Sequence, residues 1–157
     1  MTLAIRPTIF SFILSSIVTR TLAQGGSWSP IIDFPLIPVA AYIIPEYPES
    51  HRMMVYSAYN TDTFEGAFGT HGYTQFVEID FNTMIKSPRQ VSETGHDMFC
   101  PGMSTLADGR LVVTGGSNAE KTSFFDPVTD TFAPGPNMQI ARGYQSSTIL
   151  SNGKICM

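Results

Sequence analysis

The sequence predicts an all-β fold, the first blades of an incomplete β-propeller made of four-stranded sheets. Three features point to it. A unit recurs with a period of 44 residues, linking Gly109 to Gly153 and Cys100 to Tyr144, and periods in the forties belong to propeller blades. Asp108-Gly109 and Asn152-Gly153 each lie between apolar runs, and such pairs supply the positive φ of two-residue hairpin turns. Beyond the N-terminal leader, no stretch shows the i, i+3, i+4 apolar spacing of a helix.

Residues 1–24 read as a secretory signal peptide, expected as a helix. Arg6 marks a basic region, Ile9 to Val18 an apolar stretch, and Thr21-Leu22-Ala23 a small-residue cleavage site. The apolar stretch is too short to cross a bilayer, which takes about 20 residues. The protein is therefore expected to be secreted, extracellular and free of membrane once the leader is removed. Residues 25–157 are expected to form the N-terminal part of the propeller. With a net charge of −4 and only 14% charged residues, nucleic acid and anionic membranes are poor partners.

Residues 27–38 are proline-rich with alternating apolar positions, which suits an edge strand or a lead-in segment. Val39 to Ile44 and Arg52 to Tyr56 flank a polar, proline-containing turn and form the first hairpin. Tyr59 to Gly72 is loop-like and carries Phe64 and Phe68, aromatics of more interest on a loop than in a strand. Thr74 to Asp80 is the next strand. His96 to Gly102 then leads into a strand ending at Asp108-Gly109, followed by Arg110 to Val113 and the doublet Gly115-Gly116. Ser123 to Phe125 reads as a strand and Asp126 to Asp130 as a turn with proline at its second position. Phe132 is the aromatic expected to pack between blades. Ala141 to Ser147 reopens the unit, which breaks off at Met157 before its glycine doublet, so the chain is expected to be a piece of a longer propeller.

Two residues in the same phase of a repeat sit at the same level, and adjoining blades make them neighbours. Cys100 and Tyr144 are such a pair. Alone, Cys100 would be a core cysteine and Tyr144 a core or inter-blade aromatic. Two cysteines in an exported chain suggest a disulfide, but Cys156 falls in phase with Val112 and reads as a small buried apolar residue. His51, His71 and His96 lack metal-ligand spacing, and His96 reads as a turn or capping residue. No nucleophile elbow or phosphate loop is present.

The segments HDMFCPG (96–102), DGRLVVTGG (108–116), KTSFFD (121–126) and PGPNMQIARGYQSS (134–147) resemble the galactose oxidase family of copper radical oxidases. WSPIIDFPLIP (28–38) and residues 59–66 are similar to the opening of that family's kelch-type, seven-bladed propeller. The resemblance implies a thioether between Cys100 and a ring carbon of Tyr144. It makes Tyr144 a copper ligand and the seat of a tyrosyl radical, and Phe64, in Tyr-x-x-Asp-x-Phe, a wall of the substrate pocket. As a plain structural residue, Phe64 would merely cover the end of the propeller. The implied reaction converts a primary alcohol, such as a galactose-type sugar, to an aldehyde while O₂ becomes H₂O₂. The family's remaining copper ligands have no counterpart in this chain, so these residues alone are expected to be inactive. The rival reading is a non-catalytic kelch propeller acting as a binding module, or a truncated gene product.

Overall fold

The computed structural model describes residues 25–63 and 71–157. The expected leader and the loop aromatics Phe64 and Phe68 lie outside the described residues. Among the described residues every regular element is a strand. Residues 25–31 form no strand, and Trp28 and Ile31 are fully solvated. Residues 32–39 are a lead-in segment and not an edge strand. Leu36 and Phe34 pack on Val55 and Val77, and the Ile37 amide donates to the Thr61 carbonyl at 2.7 Å.

The first sheet runs in chain order through β1 (Ala40–Ile44), β2 (Arg52–Tyr56), β3 (Thr74–Asp80) and β4 (Lys86–Val91), all antiparallel. The second repeats this plan with β5 (Gly102–Thr105), β6 (Leu111–Thr114), β7 (Thr122–Asp126) and β8 (Thr131–Pro134). A two-stranded sheet of β9 (Thr148–Ile149) and β10 (Ile155–Cys156) begins a third. These are two blades and the start of another, an all-β partial propeller.

The repeat is visible in the hydrogen bonds. The amide of Leu106 donates to the Arg110 carbonyl and that of Gly109 to the Leu106 carbonyl. Leu150, Lys154 and Gly153 reproduce both bonds 44 residues later. Each hairpin therefore has a three-residue loop with glycine at its last, left-handed position (φ 88° at Gly109, 78° at Gly153). The two-residue turn expected from Asp-Gly and Asn-Gly is replaced by this bulged form, because Asp108 and Asn152 cap the amides of Arg110 and Lys154. The third strands share another device. Asp80 accepts from the amides of Asn82 and Thr83, and Asp126 from those of Val128 and Thr129.

The two full blades meet in one apolar layer. Tyr42, Ile44, Met54, Tyr56, Phe76 and Val91 of the first pack with Met98, Leu111, Val113, Phe125 and Phe132 of the second chain segment. Phe132 lies 4.9 Å from the rings of both Phe76 and Phe125, so it is the inter-blade aromatic that its place in the repeat predicts. Arg89 of β4 reaches over the Phe132 ring at 5.2 Å and pairs with Asp130. The Tyr42 hydroxyl crosses to the Gly109 carbonyl at 2.8 Å. β4 was not evident in the sequence. Its Pro88 cannot donate to a ladder, which is tolerated here because the strand forms the sheet's outer edge.

Candidate functional site

The strand directions bring three connections to the same end of the blades: 92–101 before β5, 115–121 after β6, and 135–147 before β9. Their backbones are laced together. The Gly116 amide donates to the Arg142 carbonyl (3.2 Å) and the Ser117 amide to the Phe99 carbonyl (3.1 Å). The Arg142 amide returns to Ala119 at 2.7 Å. A Cβ on Gly115 would stand 2.0 Å from the Arg142 carbonyl oxygen, and one on Gly116 2.5 Å from that of Phe99. The doublet is glycine because both flanking chains run against it, and both positions are left-handed (φ 64° and 96°).

This lacing delivers Cys100 and Tyr144 to one another. Both are non-glycine residues in the left-handed region, with φ of 57° and 58°, a conformation that costs an L-residue about 1 kcal/mol and gathers at functional sites. The Tyr144 amide donates to the Cys100 carbonyl at 3.1 Å. The neighbouring Cys100 side chain, as a hydrogen-bonding partner first and through the negative charge of its thiolate second, raises the Tyr144 phenol's pKa above its ordinary value. Cys100 is half-buried, whereas Tyr144 is 75% exposed, so the ring edge is open to solvent and to a ligand. The two line a cavity of about 440 Å³ with Val39, Ala40, Met103 and Gln145. Beneath it Tyr56 is fully buried, and burial, with a smaller effect of Cys100, pushes its phenol far up.

The segment after Tyr144 is pinned in turn. Gln145 Nε2 donates to the Thr114 carbonyl at 2.6 Å, and Ser147 Oγ to the Met103 carbonyl at 2.7 Å. The segment before Cys100 is pinned by the Asn118 side chain, which accepts from the Asp97 amide at 2.7 Å. His96 is neither turn nor cap. Its ring is fully buried, with Nδ1 2.8 Å from Ser123 Oγ and Nε2 2.8 Å from the Gly115 carbonyl. Burial lowers its pKa to about 4, against a smaller opposing effect of the Gly115 bond. The ring is therefore neutral. A carbonyl can only accept, so Nε2 carries the proton and Nδ1 accepts from Ser123. Sequence reasoning missed His96, Asn118 and Gln145 as supports. The only available signal was their place beside the cysteine, the glycine doublet and the tyrosine.

Of the residues singled out in the sequence, Cys100 and Tyr144 come together, and Phe64 lies outside the described residues. Cys156 is exposed and not the buried apolar residue expected from its phase with Val112. Val112 is sheltered inside a four-stranded sheet, while β10 pairs only with β9. His51 sits in the β1–β2 turn at the opposite end, 3.1 Å from Glu46, and His71 stacks on Tyr59 at 4.0 Å. Among the described residues, no group of three or more His, Cys, Asp or Glu side chains could hold a metal ion.

No family model matches the chain. Two curated relatives, both galactose oxidases of Gibberella zeae, are 48% identical to it over 130 residues, which is 83% of this chain and 18% of the relative. A solved structure described as a novel fungal alcohol oxidase with catalytic diversity among the AA5 family, in complex with copper, matches with a TM-score of 0.73 at 41% identity. That match covers 83% of this chain and 27% of the other. The chain thus spans less than a third of each protein it resembles. With nearly half its residues shared over five-sixths of its length, and with the same fold, the chain belongs to the galactose oxidase family.

Proposed function

We propose that this chain supplies the cysteine–tyrosine side chain of a secreted copper radical oxidase that converts a primary alcohol or sugar to an aldehyde and reduces O₂ to H₂O₂. The observation that carries the proposal is the backbone bond that sets Tyr144 against Cys100, with both residues left-handed, lining one cavity and in the same phase of adjoining blades. A phenol bonded to sulfur through a ring carbon gains electron density and yields one electron at a lower potential. Cys100 is the sulfur and Tyr144 the ring in this account. Tyr144, exposed and lining an open cavity, offers an oxygen donor of the kind copper(II) accepts.

The described residues do not fit a complete copper site. Copper(II) favours a tetragonal set of nitrogen and oxygen donors, and no histidine stands beside Tyr144: His96 has both ring nitrogens engaged elsewhere. Copper, when bound through further ligands, would supply the second oxidising equivalent that a two-electron alcohol oxidation needs. Within this chain, Tyr144 would hold one copper position and the radical, and Phe64 would bound the substrate pocket. Residues 1–24, from their basic, apolar and small-residue pattern, would direct secretion.

It follows that the 157 residues on their own neither hold copper tightly nor oxidise an alcohol. The test is to add copper to the purified chain and to the full-length protein, then follow the copper EPR signal and peroxide release with galactose and simple primary alcohols. Peroxide from the full-length protein alone supports the proposal. No peroxide from either, with Cys100 still a free thiol, favours a non-catalytic propeller.

A further inference from the structure

The lacing around Cys100 and Tyr144 has one side chain at its hub. His96 grips the Gly115 carbonyl through Nε2 (2.8 Å). On the far side of that peptide, the Gly116 amide holds the Arg142 carbonyl, two residues before Tyr144. The next amide, Ser117, holds the Phe99 carbonyl, one residue before Cys100. The Gly115–Ser117 backbone is therefore a jig whose two arms set the two residues that must meet. The ring itself lies outside the cavity lined by Cys100 and Tyr144. Its other nitrogen is anchored on Ser123 of β7, in the interior of the second blade.

We propose that His96 is a positioning residue for closure of the Cys100–Tyr144 bond: by fixing the Gly115 peptide it fixes the approach of sulfur to ring carbon. The inference rests on the oxidase reading above. In the step itself, the S–H and one ring C–H bond break and an S–C bond forms. Two protons and two electrons leave, and O₂ accepts them to become H₂O₂. His96 takes no proton in this step. It sets how often the sulfur stands against the ring, and a small misplacement of reacting groups is enough to slow a bond-forming step strongly.

Two substitutions separate the role of each ring nitrogen. The amide nitrogen of a glutamine reaches the place of Nε2, whereas the shorter asparagine reaches only the place of Nδ1. The full-length protein and its His96→Gln and His96→Asn variants are produced without copper, then exposed to copper and air. The peptide joining residues 100 and 144, lighter by two hydrogens than its parts, is followed by mass spectrometry over time. His96→Gln is expected to cross-link within about threefold of the parent rate and His96→Asn about tenfold or more slowly. Equal rates in all three proteins, or equal slowing in both variants, overturn the inference and leave His96 a core residue. A parent that never cross-links overturns the oxidase reading and this inference with it. If His96→Asn does not accumulate, amide exchange in His96→Gln decides. Protection of Gly116 and Ser117 equal to the parent, with cross-linking retained, supports the jig. Tens-fold faster exchange there with undiminished cross-linking overturns it.

Discussion

The backbone amide of Tyr144 donates to the carbonyl of Cys100 at 3.1 Å, and both residues adopt the same left-handed conformation 44 positions apart. The repeat thus does more than stack similar sheets. It places equivalent residues of adjoining blades in register, and this is how Cys100 and Tyr144 come to stand side by side.

Gly115 and Gly153 offer a matched test of that register, since both are left-handed. Gly153 has nothing within 4 Å of a built Cβ, whereas at Gly115 the Arg142 carbonyl oxygen is 2.0 Å away. Gly153→Ala is expected to cost about 1 kcal/mol, the backbone strain alone. Gly115→Ala should cost about 3 kcal/mol or more, because the flanking chain must also move. Urea unfolding of the two variants checks the difference, and equal costs would contradict the close approach.

Phe132 carries the seam between blades, 4.9 Å from rings on either side. Phe132→Ala removes a large buried side chain and is expected to destabilise by about 3–4 kcal/mol. Val128→Ala, at a position 90% exposed in the neighbouring turn, should change stability by less than about 0.5 kcal/mol. Denaturant midpoints measured side by side distinguish them.

His96 gives stability a pH dependence of defined sign. Folded, its pKa is lowered to about 4 from an ordinary 6.5, so across that interval the unfolded chain binds more protons. Stability is then fully present above about pH 6.5 and falls as pH drops toward 4. The fall amounts to about 3 kcal/mol at its limit. His96→Gln should lack this component, so unfolding free energies of parent and variant, compared near neutrality and near pH 4.5, should differ in slope. Parallel pH profiles would mean that the ring is not held neutral.

The blades were legible in the sequence where local chemistry and pattern agree. The hairpin of β1 and β2, the strand Thr74–Asp80 and the inter-blade Phe132 follow from alternating apolar positions and turn residues that serve a single purpose. β4 escaped because Lys86–Val91 is polar and holds a proline, features that only its edge position excuses. The hairpin loops were read one residue too short, since side-chain caps from Asp108 and Asn152, not the glycine alone, choose the turn. At the site, the pairing of Cys100 with Tyr144 could be inferred from their common phase. The buried bonding of His96 could not, because it depends on a carbonyl 19 residues away that only the fold brings to it. Cys156 was misread because its phase fixes its place in a strand but not whether other strands cover it.

The central claim is that Cys100 and Tyr144 become one side chain. The full-length protein, loaded with copper in air, denatured, treated with a thiol reagent and digested, should yield a single joined peptide containing both residues, two hydrogens lighter than the sum of its parts, with no labelled Cys100. Recovery of two separate peptides, with Cys100 fully labelled and Tyr144 unmodified, would contradict the account.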